Sequence, residues 1–133
     1  MRVIKVLVAL LATVTFFVLL AQTDADYMGW MKAAVASKGK VAKGIAAKDK
    51  SVAADAKVME DSFKGMEDYW TKKGVADATG FAKTARTGSA DAAKAIAAGD
   101  FDAANAAMAT VGGTCGGCHM AHRAKGDSGF QIK

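Results

Sequence analysis

Apolar residues recur along this chain at steps of three and four, the spacing that keeps one face of an α-helix dry. The pattern is plainest at Val52, Ala56, Met59, Phe63, Met66 and Trp70, a heptad-like stripe carried through about five turns. Asp49 or Ser51 can cap its start, and Lys72, Lys73 and Gly74 supply a cationic end with a glycine stop. Upstream, a segment from about Asp26 to Ala47 places Met31, Val35, Ala42 and Ile45 near one face, with Lys32, Lys40 and Lys43 outside it. Gly39 and Gly44 weaken that helix by up to about 1 kcal/mol each relative to alanine.

Downstream, Val75 to Ala98 carries Val75, Ala78, Ala82, Ala85, Ala92 and Ile96 on one face, with Phe81 beside it. Side chains this small imply close approach of a neighbouring helix. Gly99 ends the segment and Asp100 caps the next, with Asp102 in its first turn. There Phe101, Ala104, Met108, Val111, Cys115 and Cys118 alternate steps of three and four, and His122 extends the series. Gly112, Gly113, Gly116 and Gly117 make this end weak, so it should fray unless it packs on something. Four such segments on short links predict an all-α chain, an antiparallel four-helix bundle. No stretch alternates as a strand would, and no fixed period suggests a solenoid.

Composition agrees. Over half of the 133 residues are apolar (52%), but much of that is alanine, aromatics are few and proline is absent, all of which suits closely packed helices. Residues 1–25 stand apart from the fold. Arg2 and Lys5 precede an apolar run from Val6 to Ala21, and a small-residue site follows at Ala21 or Ala25, the layout of a secretory signal peptide. A retained anchor is the other reading, although the run is short for a span of roughly 20 residues. Residues 26–133 then form one domain, in the periplasm if the chain is exported. The net charge of +5 includes Arg2 and Lys5, and the other cations are interleaved with Asp and Glu. With no clustered basic tract, nucleic acid is a poor candidate partner, whereas a mildly cationic surface suits an acidic redox partner protein.

One motif carries chemistry. Cys115-Gly116-Gly117-Cys118-His119 has the C-x-x-C-H layout of covalent haem attachment. Two thiols one turn apart can add to the two vinyl groups of a porphyrin, and the adjacent imidazole can reach the iron from the same side. The intervening glycines would leave the porphyrin edge room against the backbone. Three plainer readings compete. A dithiol redox site usually opens a helix in a βαβ setting, which is absent; a zinc site would need His119 and His122 as well; a disulfide would close too small a loop to stabilise much. His122 falls about 60° further round the helix than a shared metal requires, so it is placed at a surface or pocket edge. Trp30, Trp70, Phe63, Phe81 and Phe101 read as pocket walls or core.

The run from Cys115 to Arg123, near the end of an all-helical chain, resembles the class II c-type cytochromes, the cytochrome c-prime family. The likeness is good over residues 99–125 and loose over the rest. It implies one covalent haem c per chain, with His119 as an axial ligand of the haem iron and Arg123 at the family's usual arginine; His122 stands where an aromatic is common. It also implies a distal face on the first helix, where Met31 is the candidate second ligand and Met28 the alternative. Tyr27 occupies the place of a frequent arginine, a departure from the pattern. Methionine at helical spacing is also ordinary core filling. The family contains both six-coordinate members and five-coordinate members that bind NO or CO, and its bundles often form homodimers.

The leading expectation is therefore periplasmic electron transfer by a monohaem cytochrome, without enzyme activity, since no Ser-His-Asp set, carboxylate pair or phosphate loop is present. Binding of a diatomic gas at five-coordinate iron is the first alternative. A haem-free dithiol or metal-binding helical protein is the second.

Overall fold

A computed structural model describes residues 22–133. Of the leader expected over residues 1–25, residues 1–21 lie outside them, and residues 22–25 lead into the cap and first turn of the first helix. Four α-helices follow in order, α1 (Asp24–Ala47), α2 (Ala53–Lys73), α3 (Ala76–Ala98) and α4 (Phe101–His122). A single 3-10 turn, Lys50–Val52, links α1 to α2. Consecutive helices pack along one another, and links this short reverse the chain each time, so the helices form an all-α bundle. The pair that closes the ring, α1 and α4, touches least.

Local chemistry sets the boundaries. The Thr23 side chain accepts from the Asp26 backbone N–H at 3.1 Å, and Asp26 accepts from the Thr23 backbone N–H at 2.8 Å, a reciprocal cap that starts α1 two residues before Asp26. Asp100 caps α4 by accepting from the Ala103 N–H at 2.9 Å. Gly74 and Gly99 stop α2 and α3 at φ 71° and 80°, a left-handed conformation that a Cβ would penalise.

The α2 stripe is buried as its spacing requires, with Tyr69 and Ser62 added. On α3 the dry face gains Gly88 and Ser89, while Val75 becomes the residue before the helix. On α1 the buried face is Tyr27, Ala34, Ser37, Val41 and Gly44, and the expected stripe is displaced: Val35 is 61% exposed and Ala42 lies in solvent. Ser37 and Gly44 look like interruptions in an apolar pattern, yet a small side chain is what close helix contact needs. A Cβ on Gly44 would fall 2.3 Å from a Val52 methyl.

The end of α4 remains helical through both cysteines to His122, with Gly117 backed by Phe81. The tail, where no strand was expected, forms an antiparallel hairpin, β1 (Arg123–Gly126) with β2 (Gly129–Ile132), in which Arg123 faces Ile132. In β1 the exposed Arg123 and Lys125 alternate with the half-buried Ala124 and Gly126, whereas β2 is exposed but for Ile132. The Arg123 guanidinium lies 3.7 Å from the centre of the Phe130 ring, and the Lys133 N–H donates to the His122 carbonyl at 3.0 Å.

Candidate functional site

Where α1 and α4 diverge, the bundle opens into a cleft with two lobes, whose cavity volumes are about 50 and 130 Å³. The first lobe is walled by Met59, Phe63, Met66 and Trp70 of α2, Phe81, Ala82 and Ala85 of α3, and Ala34, Val35 and Lys38 of α1. The second lies toward the hairpin, against Met28, His122, Arg123 and Phe130–Ile132. Tyr27, Met31, Cys118 and His119 border both lobes, and Cys115 borders the first.

Helical spacing accounts for that convergence. Cys115 and Cys118 stand one turn apart on the stripe that buries Val111 below them, so their sulfurs leave the core on the cleft side. Both thiols are free. The Cys115 thiol reaches the Val111 carbonyl at 3.5 Å. Burial pushes the Cys118 thiol above its ordinary value, and the negative charge of Asp77 adds to the effect. A Cβ on Gly117 would lie 2.9 Å from the Phe81 ring, whereas none of the atoms near Gly116 comes within 4 Å. The space that Gly117 leaves is thus taken by Phe81, and Gly116 faces outward with free space around it.

His119 is held below its ordinary pKa, first by burial and then by the neighbouring Arg123 charge. Its imidazole is therefore neutral at pH 7, the state that can donate a lone pair. The Arg123 guanidinium lies 3.4 Å from His119 Nδ1. His122 turns away from this group. Its Nε2 meets Asp77 Oδ2 at 2.8 Å and its ring centre is 5.0 Å from that of Trp70, which places it at the edge of the second lobe.

Of the sites read from the sequence, Cys115, Cys118, His119 and Met31 meet in one cleft, and Arg123 flanks it from the first position of β1. Met31 is half-buried and packs on the core; Met28 reaches only the second lobe. Trp70, Phe63 and Phe81 are cleft walls. Trp30 instead covers Gly65, and Phe101 packs on the core away from both lobes.

Tyr27 has a larger part than its sequence position suggested. Its hydroxyl accepts from Trp70 Nε1 at 3.1 Å, and burial pushes its pKa up to about 12. Its place one turn before Met31 was the available signal. For the hairpin, the turn residues Gly126-Asp127-Ser128-Gly129 were the available signal, since its strands pair locally across them.

Among the described residues, no group of three or more His, Cys, Asp or Glu side chains is gathered to hold a metal ion, which leaves a zinc site of Cys115, Cys118, His119 and His122 without support. Among the same residues no helix is long and apolar enough to cross a membrane. Comparison with protein-family models, with curated proteins and with solved structures found no match.

Proposed function

We propose that this chain is an exported monohaem c-type cytochrome of the class II kind, acting in electron transfer. One observation carries the reading: two free thiols one helical turn apart and a neutral imidazole beside them border a single apolar cleft. There Cys115 and Cys118 would hold the haem through two thioether bonds, and His119 would supply a nitrogen ligand to its iron. The bound haem would contribute a one-electron couple. The chain's part is to exclude water with Phe63, Met66, Trp70 and Phe81 and to keep the imidazole uncharged.

Ligation through His119 Nε2 requires the proton on Nδ1. A guanidinium can only donate, so Arg123 and Nδ1 must then separate from their 3.4 Å contact. Arg123 keeps the Phe130 ring as its other partner.

Purified protein from a host with haem-maturation machinery tests the reading. Colour should stay with the protein through acid-acetone extraction, and the intact mass should exceed that of the polypeptide by one haem. Replacing Cys115 and Cys118 by alanine should release the pigment. Protein without a Soret band, or pigment that moves wholly into the organic phase, would overturn the covalent reading.

A second reading is favoured by Met31, whose side chain packs on the core from its place between the lobes. Engaged as core, Met31 would not serve as a second ligand, and a bound haem would then be available to NO or CO. The ferric spectrum is then high spin, the ferrous protein binds CO, and Met31→Ala leaves the spin state unchanged. A low-spin wild type converted to high spin by Met31→Ala assigns Met31 as second ligand and the protein as a dedicated carrier.

A further inference from the structure

Charge is not shared evenly among the four helices. α2 and α3 together carry as many acids as bases. After Asp26, α1 carries Lys32, Lys38, Lys40 and Lys43 and no acid, and α4 has no acid beyond Asp102. The hairpin adds Arg123 and Lys125, with Asp127 only at its turn. The positive excess therefore lies on the elements that border the open side of the cleft. Among the described residues only Lys40 of these cations is paired with a carboxylate, that of Asp55 at 3.2 Å. Asp24, beside the hairpin, is held by the Tyr69 hydroxyl and Lys73, and Asp77 is held by His122.

The same side gathers exposed apolar bulk. Among the described residues the large apolar side chains left in solvent are Val35, Val58, Met120 and Phe130. Three of them surround the cleft: Val35 lines the first lobe, Phe130 lines the second, and Met120 follows His119. They are 61%, 54% and 79% exposed in that order, so no element of the described chain covers them. The cations interleave with this bulk. Lys32 stands between Met28 and Val35 on one helical stripe. Lys38 lines the first lobe, and Lys125 lies directly opposite Phe130 in the hairpin register.

We propose that this face is a docking surface for an acidic partner protein, one that sets carboxylates around a convex apolar patch. An apolar centre inside a polar rim is the build of a specific protein contact. A rim of one sign draws a partner of the opposite sign from a distance and fixes its register. The apolar groups ring a hollow, which suits a convex protein surface. A helix lying on a bilayer presents its apolar side chains from one face, whereas here they come from α1, α4 and the hairpin. The inference names a partner class for the proposed carrier. It concerns binding alone, so its test does not need haem, whose presence the Soret band reports separately.

Nuclear magnetic resonance of the purified full-length chain, labelled with nitrogen-15, tests this with a small acidic flavodoxin as the probe. At about 10 mM salt, where charge acts over roughly 30 Å, amide shifts should centre on Lys32, Val35, Met120, Lys125 and Phe130. Lys32→Glu with Lys125→Glu should weaken binding about tenfold. Lys83→Glu with Lys94→Glu makes the same change of charge on exposed sites of α3 and should have little effect. Val35→Ser with Phe130→Ser should weaken the binding that persists at about 150 mM salt, where charge reaches only roughly 8 Å. All four lysines are exposed, so their variants keep the test open even if the serine pair disturbs the fold. Equal losses from the two lysine pairs, shifts centred on α2 and α3, or no binding at about 10 mM salt would each overturn the proposal. So would sedimentation with phosphatidylglycerol vesicles at about 150 mM salt that Lys32→Glu with Lys125→Glu abolishes, which assigns the face to a membrane.

Discussion

Gly117 lies against Phe81 so closely that a Cβ there would sit 2.9 Å from the ring. The helix bearing both cysteines therefore meets α3 through bare backbone, while neighbouring Gly116 looks outward with free space around it. Gly116→Ala should raise stability by up to about 1 kcal/mol through helix propensity. Gly117→Ala gains the same propensity but displaces Phe81, for a net loss of about 1–2 kcal/mol. Urea unfolding of the two variants measures the difference, and equal effects would contradict the contact.

Gly44 offers a stricter case. A methyl there would meet Val52 at its branch point, 2.8 Å from Cβ as well as 2.3 Å from Cγ1, so no rotamer clears it. Gly44→Ala should destabilise by about 1–3 kcal/mol, and a second change, Val52→Ala, should return part of that loss. Gly39→Ala, where no atom lies within 4 Å, is the control and should be stabilising. Thermal unfolding of the four proteins reads the outcome.

The start of α1 bears on where an exported chain is cut. Thr23, Asp24 and Asp26 form the cap and the contacts to Tyr69 and Lys73. A polypeptide beginning at Gln22 keeps all of them; one beginning at Asp26 keeps none. The shorter chain should be less stable by about 1–2 kcal/mol, close to the loss for Thr23→Ala. Denaturant midpoints of the three chains decide it, and indistinguishable midpoints would show the cap to be idle.

Alkaline pH should act through Tyr27. Burial raises its folded pKa from 10.0 to about 12, and burial raises Tyr69 as well. A raised pKa means stability that is fully present below pH 10.0 and lost as pH climbs through about 12. For Tyr27 the loss amounts to about 2–3 kcal/mol. Melting temperature should therefore fall steeply across that window, and Tyr27→Phe should flatten the fall. An unchanged slope in the variant would count against a buried phenol.

The helices were legible to different degrees, and particular residues explain why. The α2 stripe reads directly because Met59, Phe63, Met66 and Trp70 are large and all face inward. On α1, Met31 and Val35 border the cleft, and Ser37, Val41 and Gly44 take the buried seam instead. A periodicity count credits bulk, whereas a close crossing selects small size. The Cys115–His119 group was visible as spacing alone, since one helical turn is a local property. Phe81 behind Gly117, Asp77 on His122 and Asp24 on Tyr69 join residues far apart in sequence, and no local pattern announces such pairs.

The sequence by itself determined the helical class, the stops at Gly74 and Gly99, the cap at Asp100 and the thiol-thiol-imidazole spacing, because each depends on backbone preference or on the pitch of one helix. Only the tertiary structure decided that α1 and α4 part to make a cleft, that Tyr27 and Met31 look across it, and that a hairpin borders its second lobe. Those outcomes belong to tertiary packing: α3 meets α2 and α4 through a face of small residues, whereas α1 and α4 make few contacts with each other.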